Sequence, residues 1–347
     1  MLISIVGIYT FLHFCVDFAC AFLLYHQIHP LLNNIHDIFY AFLLYNFFAF
    51  AVQLPIGTIA DYVNKNPHFS MIGCMLVLLA YICVPLGITA CVIAGIGNAF
   101  FHIGAGVDIL HLAKKKATIP GIFVSSGALG IFLGVQQFFK GIYMPYFFIG
   151  LMIIGCFLSS LIYYKFHEQL GYKKNNPFTL SKLKILMIFC LCLTVLLRSY
   201  TGFVLAFSWK NIFIIGLVFT IGIVMGKMLG GILSDKFGIK KVAFISLSLS
   251  ALSFYFAFQD NYIGISMGII GVLLFNMTMP ITLSALTNLI PNQKGMAFGL
   301  LTFMLFLGAT PFLFGHKYPF FTPIGLTSLV LISLVILYIG LFKIEKA

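Results

Sequence analysis

Apolar runs separated by very short polar connections recur along the whole chain. They fall at 3–26, 37–59, 69–86, 89–112, 118–138, 142–163, 185–207, 212–233, 241–258, 262–285, 296–315 and 322–342. A helix needs roughly 20 apolar residues to cross the hydrocarbon layer, so the pattern predicts an all-α membrane protein with twelve crossing helices. Pro55, Pro280 and Pro311 lie inside these runs, where neighbouring helices can satisfy the backbone groups a proline frees. The longest polar stretch, "KFHEQLGYKKNNPFTLSKLK", sits near the middle. It reads as a cytoplasmic linker at 164–184 between a six-helix bundle at 1–163 and a second at 185–347.

Composition strengthens this reading. At 61% hydrophobic and 8% charged over 347 residues, the chain has too little polar surface for a water-soluble fold. The lysines set its orientation. With the N-terminus inside, the cytoplasmic segments collect Lys65, Lys114–Lys116, the lysines of 164–184, Lys236, Lys240, Lys241, Lys294, Lys343 and Lys346. The outer loops keep only Lys140, Lys210 and Lys317, so both termini are expected in the cytoplasm. The net charge of +12 therefore reports topology before it reports any nucleic-acid partner. All eight cysteines lie in apolar runs without metal-ligand spacing and read as small hydrophobes. The first run has no basic leader and no small-residue cleavage site, and it carries Asp17, so it reads as a retained span.

A repeat divides the chain in two. "GTIAD" puts Gly57 and Asp61 at the end of the second run; "GILSD" puts Gly231 and Asp235 at the end of the eighth. The offset is 235 − 61 = 174 residues, about half the chain. Small residues let helices approach closely, and a carboxylate at a helix end can meet a neighbouring helix N-terminus. The second copy, "GILSDKFGIKK", adds Lys236, Gly238, Lys240 and Lys241; the first, "GTIADYVNKN", has Asn64 in place of the glycine and keeps Lys65. Both read as cytoplasmic latches, made in one conformation and broken in another.

These residues resemble the loop signature of the major facilitator superfamily. "HFCVDFACAFL", "QLPIGTIAD", "GIGNAFFHIGAG" and the pair Arg198-Ser199 resemble, within it, the fosmidomycin-resistance type of efflux carrier. The resemblance implies two six-helix bundles around a central cavity and export of small molecules against proton entry. In the fifth run Gly121, Gly130 and Gly134 suit close helix packing, and Val135 stands where the antiporter pattern has a proline.

Polar residues inside apolar runs carry the mechanism, because an ionised group at mid-bilayer costs roughly 2.5–3.5 kcal/mol on insertion scales. Arg198, the chain's single arginine, lies in the middle of the seventh run. Of the eight acidic residues, Asp37, Asp260, Glu168 and Glu345 lie at span ends or in loops, Asp61 and Asp235 belong to the latches, and Asp108 is near the inner end of the fourth run, where it can meet lysines. Asp17 alone is central. His13 and Asp17 are four apart, as are Asn98 and His102, so each pair shares a helix face. The resemblance implies that spans 1, 4, 7 and 10 line the cavity, bringing His13, Asp17, His102 and Arg198 together, with Asn46, Asn98 and Asn276 also lining it. Arg198 then either grips an anionic group with two parallel hydrogen bonds or forms a permanent structural pair with Asp17. Lys227, two turns before Asp235, can reach the cytoplasmic interface.

The expected function is a proton-coupled antiporter that exports a small organic molecule. The alternative is a proton-coupled importer of a small organic anion, with a channel or a membrane enzyme behind it. No H-E-x-x-H, G-x-S-x-G or G-x-x-x-x-G-K-[ST] pattern occurs, so neither an enzyme nor an ATP-driven pump is expected. A monomer in the plasma membrane is expected, contacting lipid, substrate and protons, without cofactor, metal or nucleic acid.

Overall fold

The computed structural model describes residues 2–136, 143–166, 181–259, 261–315 and 319–342. The linker's central residues 167–180, with Lys140, Asp260, Lys317, Lys343, Glu345 and Lys346, lie outside the described residues. Every long element described is a helix. In chain order these are α1 (Leu2–Phe22), α2 (Ile35–Asn46), α3 (Gln53–Val63), α4 (Asn66–Ile82), α5 (Ile88–Leu112), α6 (Thr118–Gly134) and α7 (Met144–Phe166). They continue as α8 (Lys182–Val204), α9 (Phe213–Phe237), α10 (Ile239–Phe256), α11 (Tyr262–Asn276), α12 (Thr278–Leu289), α13 (Lys294–Leu313) and α14 (Pro323–Gly340).

A π-helical insert, Phe47–Ala51, joins α2 to α3, giving one apolar segment over Ile35–Val63; α11 and α12 likewise make one segment over Tyr262–Leu289. Among the described residues ten segments are long and apolar enough to cross a membrane, while α4 and α6 are apolar but only 17 residues each. The protein is thus an integral membrane protein by the length and composition of its helices. Polar residues mark several helix starts. Asn34, Ser181, Asn261 and Thr322 each accept a first-turn backbone N–H and so cap α2, α8, α11 and α14.

The chain forms two compact units. The first is built on α1 to α5, α6 from Ser126 onward, α7, and the start of α13 up to Phe303. The second takes α6 up to Ser125, α8 to α12, α13 from Met304 onward, and α14.

In the first unit α4 and α5 approach until backbone meets backbone. A Cβ on Gly73 would collide with the Phe101 backbone, one on Gly97 would lie 2.8 Å from the Val77 nitrogen, and one on Gly104 would collide with the Ser70 backbone. This close approach fixes the rotation of α5 and hence the direction of its polar face. Between Gly97 and Gly104 that face carries Asn98 and His102. In the second unit Gly226 and Gly230 of α9 similarly lie against the backbone at Leu273 and Met277. Gly308 of α13 lies against Leu196 and Ser199 of α8, whose Ser199 hydroxyl donates to the Leu305 carbonyl at 2.6 Å.

Candidate functional site

In the first unit three helices converge on one buried carboxylate. Asp17 of α1 is 8% exposed. Its Oδ2 lies 3.2 Å from His13 Nε2, one turn back on the same helix, and its Oδ1 lies 3.7 Å from His102 Nε2 of α5. The Asn98 amide donates to Oδ1 at 3.1 Å. The two imidazoles stand edge to face with centroids 4.6 Å apart. His102 is held by a further contact, 2.9 Å from its Nδ1 to the Asn98 carbonyl oxygen. A carbonyl can only accept, so that nitrogen carries the proton, and Nε2 is the atom directed at Asp17.

The roof of this cluster is Gly127 of α6. A Cβ there would collide with Asp17 Oδ2 and come within 2.5 Å of His13 Nε2. Gly130 and Gly134 continue the same close contact along α1, against the Phe14 and Phe18 carbonyls. Gly130 and Gly134, expected to serve packing in the fifth run, together with Gly127 thus let α6 lie directly on the face of α1 that carries the carboxylate, whereas Gly121 packs against Lys227 and Gly231 of α9. Thr10, on the same face of α1 as His13 and Asp17, has a buried hydroxyl with no hydrogen-bond partner among the described residues.

Arg198 lies in the second unit, on α8. It is 8% exposed and donates from Nη1 to Thr282 Oγ1 of α12 at 3.2 Å. Thr282 in turn donates to the carbonyls of its own helix, 2.9 Å from Met279 O and 3.1 Å from Thr278 O. A guanidinium offers five N–H donors, so one hydroxyl leaves most of its capacity for another acceptor. Lys227 of α9 donates to the Val124 carbonyl of α6 at 3.1 Å. Asn46 and Asn276, by contrast, each return their amide to the backbone one turn earlier, to Phe42 and Val272.

The two latch aspartates do the same job in the two units. Asp61, at the end of α3, accepts the N–H groups of Gly295 and Met296 at 2.7 and 2.8 Å and so caps the start of α13. Asp235, at the end of α9, accepts those of Ala117 and Thr118 at 2.8 and 2.9 Å, together with the Thr118 hydroxyl, and caps the start of α6. The glycine four residues earlier works alike in both: a Cβ on Gly57 would collide with the Gly295 carbonyl, and one on Gly231 would lie 2.5 Å from the Ala117 carbonyl oxygen. Each motif thus brings a carboxylate onto the positive end of a helix from the other half of the sequence. Asn64 and Gly238 also correspond. Both follow the latch helix with positive φ, 55° and 92°; Asn64 sits in the left-handed helical region, which asparagine tolerates, whereas Gly238, at ψ 139°, takes a conformation suited to glycine. The latch lysines are peripheral. Lys65 and Lys241 are exposed, Lys236 lies 5.2 Å from the Phe237 ring centroid, and Lys240 donates to the Phe342 carbonyl at 2.7 Å.

Asp108 is fully buried and accepts from the Tyr9 hydroxyl at 2.7 Å and the Asn66 amide at 3.0 Å, on α1 and α4, which places it inside the first unit. Helix packing draws it in, because Gly104, one turn before it, brings α5 against Asn66 and Ser70.

No family model matches the sequence, and no curated protein matches it. Solved structures do. A variant of the E. coli fucose:proton symporter FucP aligns over 100% of both chains at 12% identity with a TM-score of 0.61. A bacterial homologue of the iron transporter ferroportin, in an outward-facing state, aligns over 98% of this chain and 97% of its own, at 12% identity and a TM-score of 0.67. FucP in its outward conformation, described as a major facilitator superfamily transporter, aligns at 0.59 over 98% and 99%. With the doubled aspartate caps and the repeated helical order, these full-length alignments show that the chain has the fold of major facilitator transporters.

Proposed function

We propose that the chain is a secondary active transporter that exports a small organic molecule across the plasma membrane in exchange for protons. In this reading it works as a monomer of twelve crossing helices with both termini cytoplasmic, and 164–184 links two six-helix bundles. The sequence stretches quoted for the fosmidomycin-resistance type support that subfamily.

The observation that carries the reading is the buried group of Asp17, His13, His102 and Asn98. A structural core has no need of two imidazoles edge to face around one carboxylate, and intramembrane ionisable groups mark ion pathways. Asp17 takes and releases the proton. His13 and His102 hand it on, and Asn98 holds the carboxylate between deliveries. Arg198 binds the anionic part of the substrate. The Asp61 and Asp235 caps hold one state of the alternating cycle and release in the other.

Proteoliposomes carrying the full chain and a proton-sensitive dye inside test this with a panel of organic cations, organic anions and uncharged drugs. At least one compound should move protons through the native protein, and Asp17→Asn should abolish that movement while the purified protein stays monodisperse. Unchanged proton movement in the variant rejects the assignment. A second reading, import of a small organic anion by proton symport, is favoured by Arg198, whose side chain has Thr282 as its one hydrogen-bond partner among the described residues, and by the symporter among the structural neighbours. The direction of substrate flux under an imposed proton gradient separates the two.

A further inference from the structure

No metal-ligand spacing occurs along the sequence, and none is expected from it. We propose that His13, Asp17 and His102 form a binding site for a divalent first-row transition-metal ion, which competes there with the proton. This deepens the coupling reading above and rests on it for the competition.

The distances suit such an ion. One ligand atom from each of the three residues lies within 4.8 Å of the other two. In a tetrahedral site with metal–nitrogen and metal–oxygen bonds of about 2.0–2.2 Å, neighbouring ligand atoms lie about 3.3–3.6 Å apart. His13 Nε2 lies 3.2 Å from Asp17 Oδ2 and His102 Nε2 lies 3.7 Å from the other oxygen, Oδ1, so each imidazole has its own carboxylate oxygen at such a spacing and the ion would sit against both oxygens of Asp17.

The surroundings are those of a ligand set. His102 gives its Nδ1 proton to the Asn98 carbonyl, so in the neutral ring the Nε2 lone pair faces a carboxylate oxygen. Two electron-rich atoms directed at one another are repulsive until a cation lies between them. A backbone carbonyl on the distal nitrogen is how metal-binding histidines are commonly oriented, and the Asn98 amide on Oδ1 orients the carboxylate in the same way. Gly127 keeps the space over Asp17 Oδ2 and His13 Nε2 free of any side chain. Two imidazoles and one carboxylate select Zn2+, Fe2+, Co2+ or Ni2+ over Mg2+ and Ca2+. Three protein ligands also leave a fourth position open, as in sites that exchange what they bind and unlike closed structural sites.

The test is titration of the purified full chain in detergent with Co2+, followed by its visible d–d absorption. The native protein should develop a tetrahedral spectrum that Zn2+ displaces and Mg2+ does not. Asp17→Asn and His102→Gln should remove it. Asn98→Ala should weaken Co2+ binding about 10- to 100-fold. Gly127→Ala should also remove it, although no ligand is changed. The absence of a spectrum in the native protein, or the same spectrum in Asp17→Asn and Gly127→Ala, overturns the proposal. The native measurement decides even if a variant fails to fold. In parallel, Zn2+ should block the proton movement measured in proteoliposomes. Proton movement without a Co2+ spectrum rejects the metal site alone; a Co2+ spectrum without proton movement supports the site and rejects the coupling reading.

Discussion

Replacing Asp61 by asparagine removes a full negative charge from the start of α13 and leaves one oxygen to serve two N–H groups. In the native protein those groups, on Gly295 and Met296, donate over 2.7 and 2.8 Å to a carboxylate that is only 6% exposed. A charged cap of this kind contributes about 1–2 kcal/mol, from the cap hydrogen bonds and the interaction with the helix dipole. Asparagine keeps part of the hydrogen bonding, so we expect a loss of about 1 kcal/mol, which is about a fivefold shift in the opening equilibrium of that helix end. Hydrogen–deuterium exchange reads this directly. The Gly295 and Met296 amides should exchange several-fold faster in Asp61→Asn, while the Ala117 and Thr118 amides, capped by Asp235, should keep their native rate. Asp235→Asn should give the converse pattern. Unchanged exchange at Gly295 and Met296, or equal acceleration at both helix starts in either variant, would refute the cap as the element that holds α13.

Four further outcomes are expected. Gly104→Val should lower the thermal midpoint sharply, because its side chain would enter the α4 backbone and overpacking costs about 1–3 kcal/mol or more. Asp108→Ala should destabilise by about 1–3 kcal/mol, because it leaves the buried Tyr9 hydroxyl and Asn66 amide without this acceptor; thermal unfolding in detergent checks it. Gly238→Ala should cost stability at φ 92°, whereas Asn64→Gly should be nearly neutral at φ 55°, a contrast visible in the same assay. Arg198→Lys should reduce substrate transport while preserving expression and monodispersity, since an ammonium cannot reproduce a planar fork of donors.

How far the sequence could be read depended on the range of each interaction. Apolar runs report a helix from within itself, so all twelve coincide with helical segments, although nothing local announced the π-helical insert at Phe47–Ala51 or the shortness of α4 and α6. The pairs His13 with Asp17 and Asn98 with His102 were legible because four residues make one helical turn. That the two pairs meet each other depends on how α5 is rotated against α4, and the glycines that set this rotation carry no chemical label. Both latch aspartates were legible through their repeat. Their partners were not, because a backbone N–H at a helix start belongs to every residue type. Gly127 escaped notice among the other glycines of α6, and Thr282 beside Arg198 gave no signal at all. For Asp108 the sequence offered only nearby lysines, and its inward partners Tyr9 and Asn66, on α1 and α4, carry no local signal.

The central claim is that a proton is exchanged at Asp17. The most direct measurement is infrared difference spectroscopy on the full chain in lipid, comparing native protein with Asp17→Asn as the external pH is stepped. A carboxylic-acid C=O stretch that rises and falls with pH in the native protein and vanishes in Asp17→Asn is the result predicted here. A pH-dependent signal of equal size in both proteins, or none in either while proton-driven transport continues, would contradict it.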